Sequence, residues 1–127
     1  MPNTFLGPLH VQREVHNLSI VVRAAGEVDE FTVLPLRMEL QTALAMATPP
    51  HPVVVDLSAV RFFGSAGLNE LLRHHRDAEA AGIPFRIVAA HKVVLRPIKM
   101  TGLDDVLRIH PDVEQALAAG QGVRTSC

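Results

Sequence analysis

The residue best placed to do chemistry is Ser65, a hydroxyl between two glycines in Phe63-Gly64-Ser65-Ala66-Gly67-Leu68. Upstream, Val53-Val54-Val55-Asp56-Leu57 is an apolar run broken only by Asp56, as expected for a strand covered on both faces. Downstream, Leu68, Leu71, Leu72 and Ala78 recur at helical spacing. The pattern predicts strand, tight turn and helix, with Gly64 and Gly67 easing the turn and Ser65 at the helix start. A hydroxyl there meets unused helix-end N–H groups and the positive end of the helix dipole. That environment suits a phosphate, so Ser65 reads as an oxygen presented for modification. The stretch also approaches the Gly-x-Ser-x-Gly nucleophile elbow of hydrolases. However, Phe63 stands in the first glycine's place, and the chain is short for that fold. The chain is expected not to be an enzyme.

Other polar residues have more local readings. Asp29, closing Gly26-Glu27-Val28-Asp29, could orient the Ser65 hydroxyl or meet a partner if the fold brings the two together. Ser58 reads as a turn hydroxyl bonded to nearby backbone, and Asp56 as satisfying backbone groups at a strand end. His74 and His75 are adjacent, so they point in different directions on a helix, and His75 falls on the inner stripe. No His-x-x-x-His pair or Cys/His set gives metal-ligand spacing. Neither metal nor cofactor is expected. Phe62 and Phe63 cannot both face one way in a strand; one enters the core and the other is left for a binding surface.

These residues need a scaffold to hold them. Leu9 to Val15 predicts a first edge strand and Leu18 to Ala25 a second, rich in β-branched residues, with Gly26 to Asp29 as its exit loop. Val33, Leu36, Leu40, Leu44 and Ala47 predict an amphipathic helix, capped by Thr32 with Pro35 in its first turn, and ended by Pro49-Pro50-His51-Pro52. After the Val53–Leu57 strand comes a helix from about Ala66 to Ala81, stopped by Gly82. Phe85 to Ala89 predicts a buried strand. His91 to Met100 reads as a helix that Pro97 either kinks or begins. Val106 to Ile109 predicts a short edge strand, and Pro111 opens a last helix with Asp112 and Glu114 in its first turn. Strands alternating with helices imply an α/β fold: a single domain with a mixed sheet of four to five strands and about four α-helices packed against it. The domain is expected over residues 9–119, with a flexible arm at 1–8 and a flexible tail at 120–127.

Composition narrows the function classes. At 127 residues the chain suffices for one core, and 48% apolar residues exclude a disordered chain. A net charge of −1 gives no broad electrostatic footprint for nucleic acid. No apolar run reaches the roughly 20 residues of a membrane span, and Met1 to Pro8 lacks a secretory-signal pattern. The single cysteine, Cys127, excludes a disulfide framework within the chain. A cytoplasmic protein is expected, binding neither nucleic acid nor membrane.

The order of elements and three motifs resemble the STAS domain family, in its bacterial anti-sigma factor antagonist branch. The motifs are Gly26-Glu27-Val28-Asp29, the stretch from Val55-Asp56-Leu57-Ser58 through Leu68, and, more loosely, Thr101-Gly102-Leu103. The resemblance spans roughly residues 10–118. It implies that Ser65 matches the family's phosphorylated serine and Asp29 the acidic residue beside it. It further implies a partner surface of Asp29, Phe63, Gly64, Ser65, Ala66, Gly67, Leu68 and Asn69. By the same resemblance the unmodified form would bind an anti-sigma factor that is also a serine kinase, freeing a sigma factor. Phosphorylation would weaken the complex, and a serine phosphatase would restore the active form. Many members carry an aspartate just before the serine where this chain has Gly64, so one acidic neighbour of the site is missing. The same fold also serves as a regulatory subunit of lipid transporters or larger stress-signalling complexes, which is the alternative role.

Overall fold

The computed structural model describes residues 8–119. The expected arm, apart from Pro8, and the expected tail lie outside the described residues. The chain runs β1 (Leu9–His16), β2 (Ser19–Val28), α1 (Leu34–Met46), β3 (Val53–Phe63), α2 (Ser65–Ala80), β4 (Phe85–Val88), α3 (Lys92–Met100), a 3-10 turn (Leu103–Asp105), β5 (Arg108–His110) and α4 (Val113–Ala118). The five strands form one sheet in sequence order. β1 pairs antiparallel with β2 through a tight hairpin, with Asn17 in the left-handed region at φ 58°. The remaining pairs are parallel, so the sheet is mixed, as the early strand pair predicts.

The two faces of the sheet differ. Alternate residues such as Ile20, Val22, Val53, Val55, Leu57 and Ile87 pack under α1, α2 and α3 through Leu36, Leu40, Leu71, Val94 and Ile98. Among the described residues the opposite face is covered over Val21, Val54 and Val88, by Ala116, Val113 and Leu117 of α4. Asp112 caps α4 by accepting from the Gln115 N–H at 2.8 Å.

Two strands run further than their sequence suggests. β2 continues through Gly26-Glu27-Val28, which the sequence reading leaves as a loop, because Val28 is fully buried and pairs with Phe63. The ladder shifts register around Gly26, whose φ is 118°. A Cβ there would fall 2.0 Å from the Pro8 carbonyl oxygen, which accepts from the Glu27 N–H at 2.8 Å. Glycine is required both for the backbone angle and for this close approach. β3 likewise extends past Leu57 to Phe63, so Asp56 is a mid-strand residue rather than a strand-end cap.

Asp56 belongs to a polar network on the open face. Arg23 donates to Asp56 at 2.6 Å and to Glu14 at 2.8 Å. Glu14 also meets His16 at 2.9 Å and accepts from Gln12 at 3.1 Å. The Ser58 hydroxyl donates to the Asp56 carboxylate, not to local backbone. Hydrogen bonds from Arg23 and then His16 hold the Glu14 carboxyl at about 2, against an ordinary value of 4.5. Because the folded value is depressed, the stabilisation is complete above the ordinary value and is lost as pH falls from 4.5 toward 2. Thermal melts should therefore show the wild-type midpoint falling more steeply across that window than that of Glu14→Gln. Parallel curves would mean that Glu14 does not carry this pH dependence.

Three further expectations change. α1 has Val33 as its N-cap with no side-chain cap bond, while Pro35 does lie in the first turn. Thr32 serves the preceding loop instead. α3 runs unbroken through Pro97. On α2 the inward histidine is His74, 1% exposed, with His75 only half-buried. A phase difference of one residue on a helix is about 100°, enough to exchange the two.

Candidate functional site

β3 delivers the site. Its last residue, Phe63, pairs with Val28, and the Gly64 N–H donates to the Val28 carbonyl at 2.9 Å. The turn is thereby tied to the end of β2, and Asp29 emerges beside it. α2 then begins, with Gly64 as N-cap in extended backbone (φ −98°, ψ −171°) and Ser65 as first helical residue. Neither Gly64 nor Gly67 has a positive φ. Gly67 is needed for space, not for backbone angle. A Cβ on Gly67 would fall 2.5 Å from the Phe63 ring, and one on Gly64 would fall 3.2 Å from the Phe62 ring. Phe63 is 4% exposed and hemmed in by the core. Gly67→Ala should therefore destabilise the fold by about 1–3 kcal/mol through overpacking, read from urea unfolding. A loss below about 0.5 kcal/mol would show that the ring can move aside.

Ser65 is exposed. Among the described residues its hydroxyl has no hydrogen-bond partner, and it does not cap α2. The N–H groups of Gly67 and Leu68 turn back to the Gly64 carbonyl at 3.0 and 3.3 Å. Those of Ser65 and Ala66 have no helical acceptor and point toward the helix start. A free hydroxyl beside two such donors, at the positive end of a 16-residue helix, can carry a dianion without disturbing the fold.

Asp29 arrives at the same end of the sheet, but its carboxylate serves its own loop. Oδ1 accepts from the N–H groups of Phe31 at 2.8 Å and Thr32 at 3.0 Å, while the Thr32 hydroxyl accepts from the Asp29 N–H at 2.9 Å and donates to the Glu27 carbonyl at 2.7 Å. No hydrogen bond joins Asp29 to Ser65 among the described residues.

The expected partner surface divides in two. Ser65 and Asn69 are exposed and one helical turn apart; Gly64, Ala66 and Asp29 are half-exposed. Phe63, Gly67 and Leu68 are buried, so they support the turn from beneath rather than offering side chains to a partner. Phe62, 51% exposed, takes the outward place expected of one phenylalanine of the pair. Two apolar residues at this end escape the sequence reading: Phe31, 87% exposed, and Leu34, 54% exposed. Phe31 follows directly on the Asp29 turn, and a large aromatic in a polar loop is the signal that could have marked it.

Among the described residues no group of three or more His, Cys, Asp or Glu could hold a metal ion. No helix there is long and apolar enough to cross a membrane.

The model of the STAS domain family matches residues 10–116. The chain belongs to the STAS domain family. Among curated relatives, this STAS domain is 35% identical over 109 residues to the anti-sigma-F factor antagonist RsfB of Mycobacterium tuberculosis, covering 86% of this chain and 87% of the relative. It is 31% identical over 104 residues to the anti-sigma-F factor antagonist RsfA of the same organism, covering 82% and 81%. Among solved structures, an anti-sigma factor antagonist from Mycobacterium paratuberculosis superposes with a TM-score of 0.82 at 33% identity, over 89% of this STAS domain and 94% of that chain.

Proposed function

We propose that this STAS domain is a cytoplasmic anti-sigma factor antagonist, itself not an enzyme, whose hold on an anti-sigma factor with serine kinase activity is broken by phosphorylation of Ser65. The observation that carries this reading is the exposed, unbonded Ser65 hydroxyl at the start of α2. The names of the relatives supply the partner class.

The step is phosphoryl transfer. Ser65 Oγ attacks the γ-phosphorus of ATP, the bond from that phosphorus to the bridging oxygen breaks, ADP leaves, and the hydroxyl proton passes to a base on the kinase. A serine phosphatase reverses the state by water attack, releasing inorganic phosphate. The added group brings about −1.5 to −2 charges. On the free domain the helix end offsets that charge. In a complex, the charge would sit among Phe31, Phe62 and Leu34, where removing a phosphate from water without full compensation is costly. The domain tolerates the modification and the interface does not.

The test uses the purified complex of this chain with its anti-sigma factor. Adding ATP should dissociate the wild-type complex and leave the Ser65→Ala complex intact. A Ser65→Ala complex that ATP also dissociates would place the switch elsewhere.

A further inference from the structure

Asp29 has two routes to a partner, its charge or its geometry, and the fold commits its geometry. Oδ1 accepts from the Phe31 N–H at 2.8 Å and from the Thr32 N–H at 3.0 Å. An aspartate bonded to the backbone two residues on forms an Asx turn. The Thr32 N–H also reaches the Asp29 carbonyl at 3.2 Å, and the Thr32 hydroxyl donates to the Glu27 carbonyl at 2.7 Å. Residues 29–32 are thereby folded back against the end of β2.

What this turn holds up is Phe31. Its side chain is 87% exposed, more than that of any other large apolar residue among the described ones. Burial is what lets an apolar side chain stabilise a fold, and this ring buries almost nothing. Aromatic side chains are enriched in protein interfaces, where a few anchors inside a polar rim carry most of the binding energy. Glu27 and Glu30 are exposed in the same segment, and exposed Leu34 and Met38 follow it one helical turn apart on α1. A ring on a backbone already fixed by hydrogen bonds also loses little freedom on binding.

Position ties the ring to Ser65. Val28, the residue before Asp29, accepts from the Gly64 N–H at 2.9 Å, so the turn and the start of α2 leave the sheet side by side. Each partner in a standard interface covers about 800 Å² of the other. A protein that closes over Ser65 on that scale also covers the Asp29 turn.

We infer, resting on the antagonist reading above, that Phe31 is the apolar anchor for the anti-sigma factor and that Asp29 is its positioning residue, acting as a hydrogen-bond acceptor and not through its charge. Aspartate and asparagine differ in charge but share the acceptor oxygen, which separates the two routes.

Calorimetric titration of the full, unphosphorylated chain against each candidate anti-sigma factor of its source genome, without nucleotide, is the test. Phe31→Ala should weaken binding about thirtyfold and leave thermal unfolding unchanged, since the ring is exposed. Asp29→Ala should weaken binding about tenfold, and Asp29→Asn should recover most of that loss. Amide hydrogen exchange at Phe31 and Thr32 should quicken in Asp29→Ala and not in Asp29→Asn. Asp29→Ala combined with Phe31→Ala should bind no more weakly than Phe31→Ala alone, because Asp29 acts through the ring. Wild-type affinity in Phe31→Ala would overturn the anchor. Asp29→Asn as weak as Asp29→Ala would overturn the positioning role in favour of the charge. A wild-type chain that bound none of the candidates would defeat the antagonist reading and the anchor with it, an outcome distinct from the other two.

Discussion

Ser65→Asp should fold like wild type and bind the anti-sigma factor about a hundredfold more weakly, equivalent to about 2.8 kcal/mol. Two opposed effects of one charge produce this result. At the start of α2 a carboxylate is favourable by a few tenths of a kcal/mol to about 1 kcal/mol, because it meets the positive helix end. Ser65 is exposed and its hydroxyl makes no bond in the fold, so the substitution removes nothing the fold needs. In the proposed interface the same carboxylate would lose water beside exposed Phe31 and Phe62, a cost that the helix end offsets only in part. Calorimetric titration against the anti-sigma factor gives the binding change, and thermal unfolding gives the control. Wild-type affinity in Ser65→Asp would defeat the charge mechanism. A weakly binding variant that also unfolds early would attribute the loss to folding instead.

Arg37→Met should lower stability by about 3 kcal/mol. Glu70 lies on the buried side of α2, its side chain 3% exposed, and Arg37 of α1 donates to it at 2.7 Å. His74, one turn further on, donates from Nδ1 to the Glu70 backbone carbonyl at 2.8 Å. It therefore leaves the second Glu70 oxygen, Oε1, without a hydrogen bond among the described residues. Removing Arg37 strands the carboxylate between two helices. Breaking one side of a buried pair costs about 3–5 kcal/mol, and the lower figure applies because Arg37 itself is 35% exposed. Arg37→Met combined with Glu70→Gln should recover most of the loss, since no charge is then left buried. Urea unfolding of the two singles and the double separates these cases. A double variant no more stable than Arg37→Met would mean that packing of the arginine stem, not its charge, is what matters.

The parts of this fold that were legible in the sequence are those where neighbouring residues carry the signal. Val53 to Leu57 and Phe85 to Val88 are short stretches, apolar but for Asp56 and Arg86, and the strand–turn–helix order around Ser65 follows from the first. The end of β3 was not legible, because Ser58, Ala59, Arg61 and Phe62 are exposed on its open side and dilute the apolar run. That segment is a strand because it pairs with β2 far away in sequence. Asp56 was legible in part: it accepts from the Ser58 backbone N–H at 3.0 Å, but its charged partner is Arg23, 33 residues away. The His74 and His75 exchange turns on a single residue of helical phase, which the periodicity of a leucine stripe does not resolve. The exposed place of Ser65 at the start of α2 was legible from its glycine-flanked junction. The division between supporting Phe63, Gly67 and Leu68 and outward Phe62 and Phe31 was not, because the phase of the strand end decides which phenylalanine enters the core.

The most direct test of the central claim is peptide-mapping mass spectrometry after incubating the protein with ATP and candidate anti-sigma factor kinases from its source genome. The account predicts one added phosphate on the peptide bearing Ser65, absent from Ser65→Ala. A stable complex with one of those kinases and no phosphate on Ser65 would contradict it.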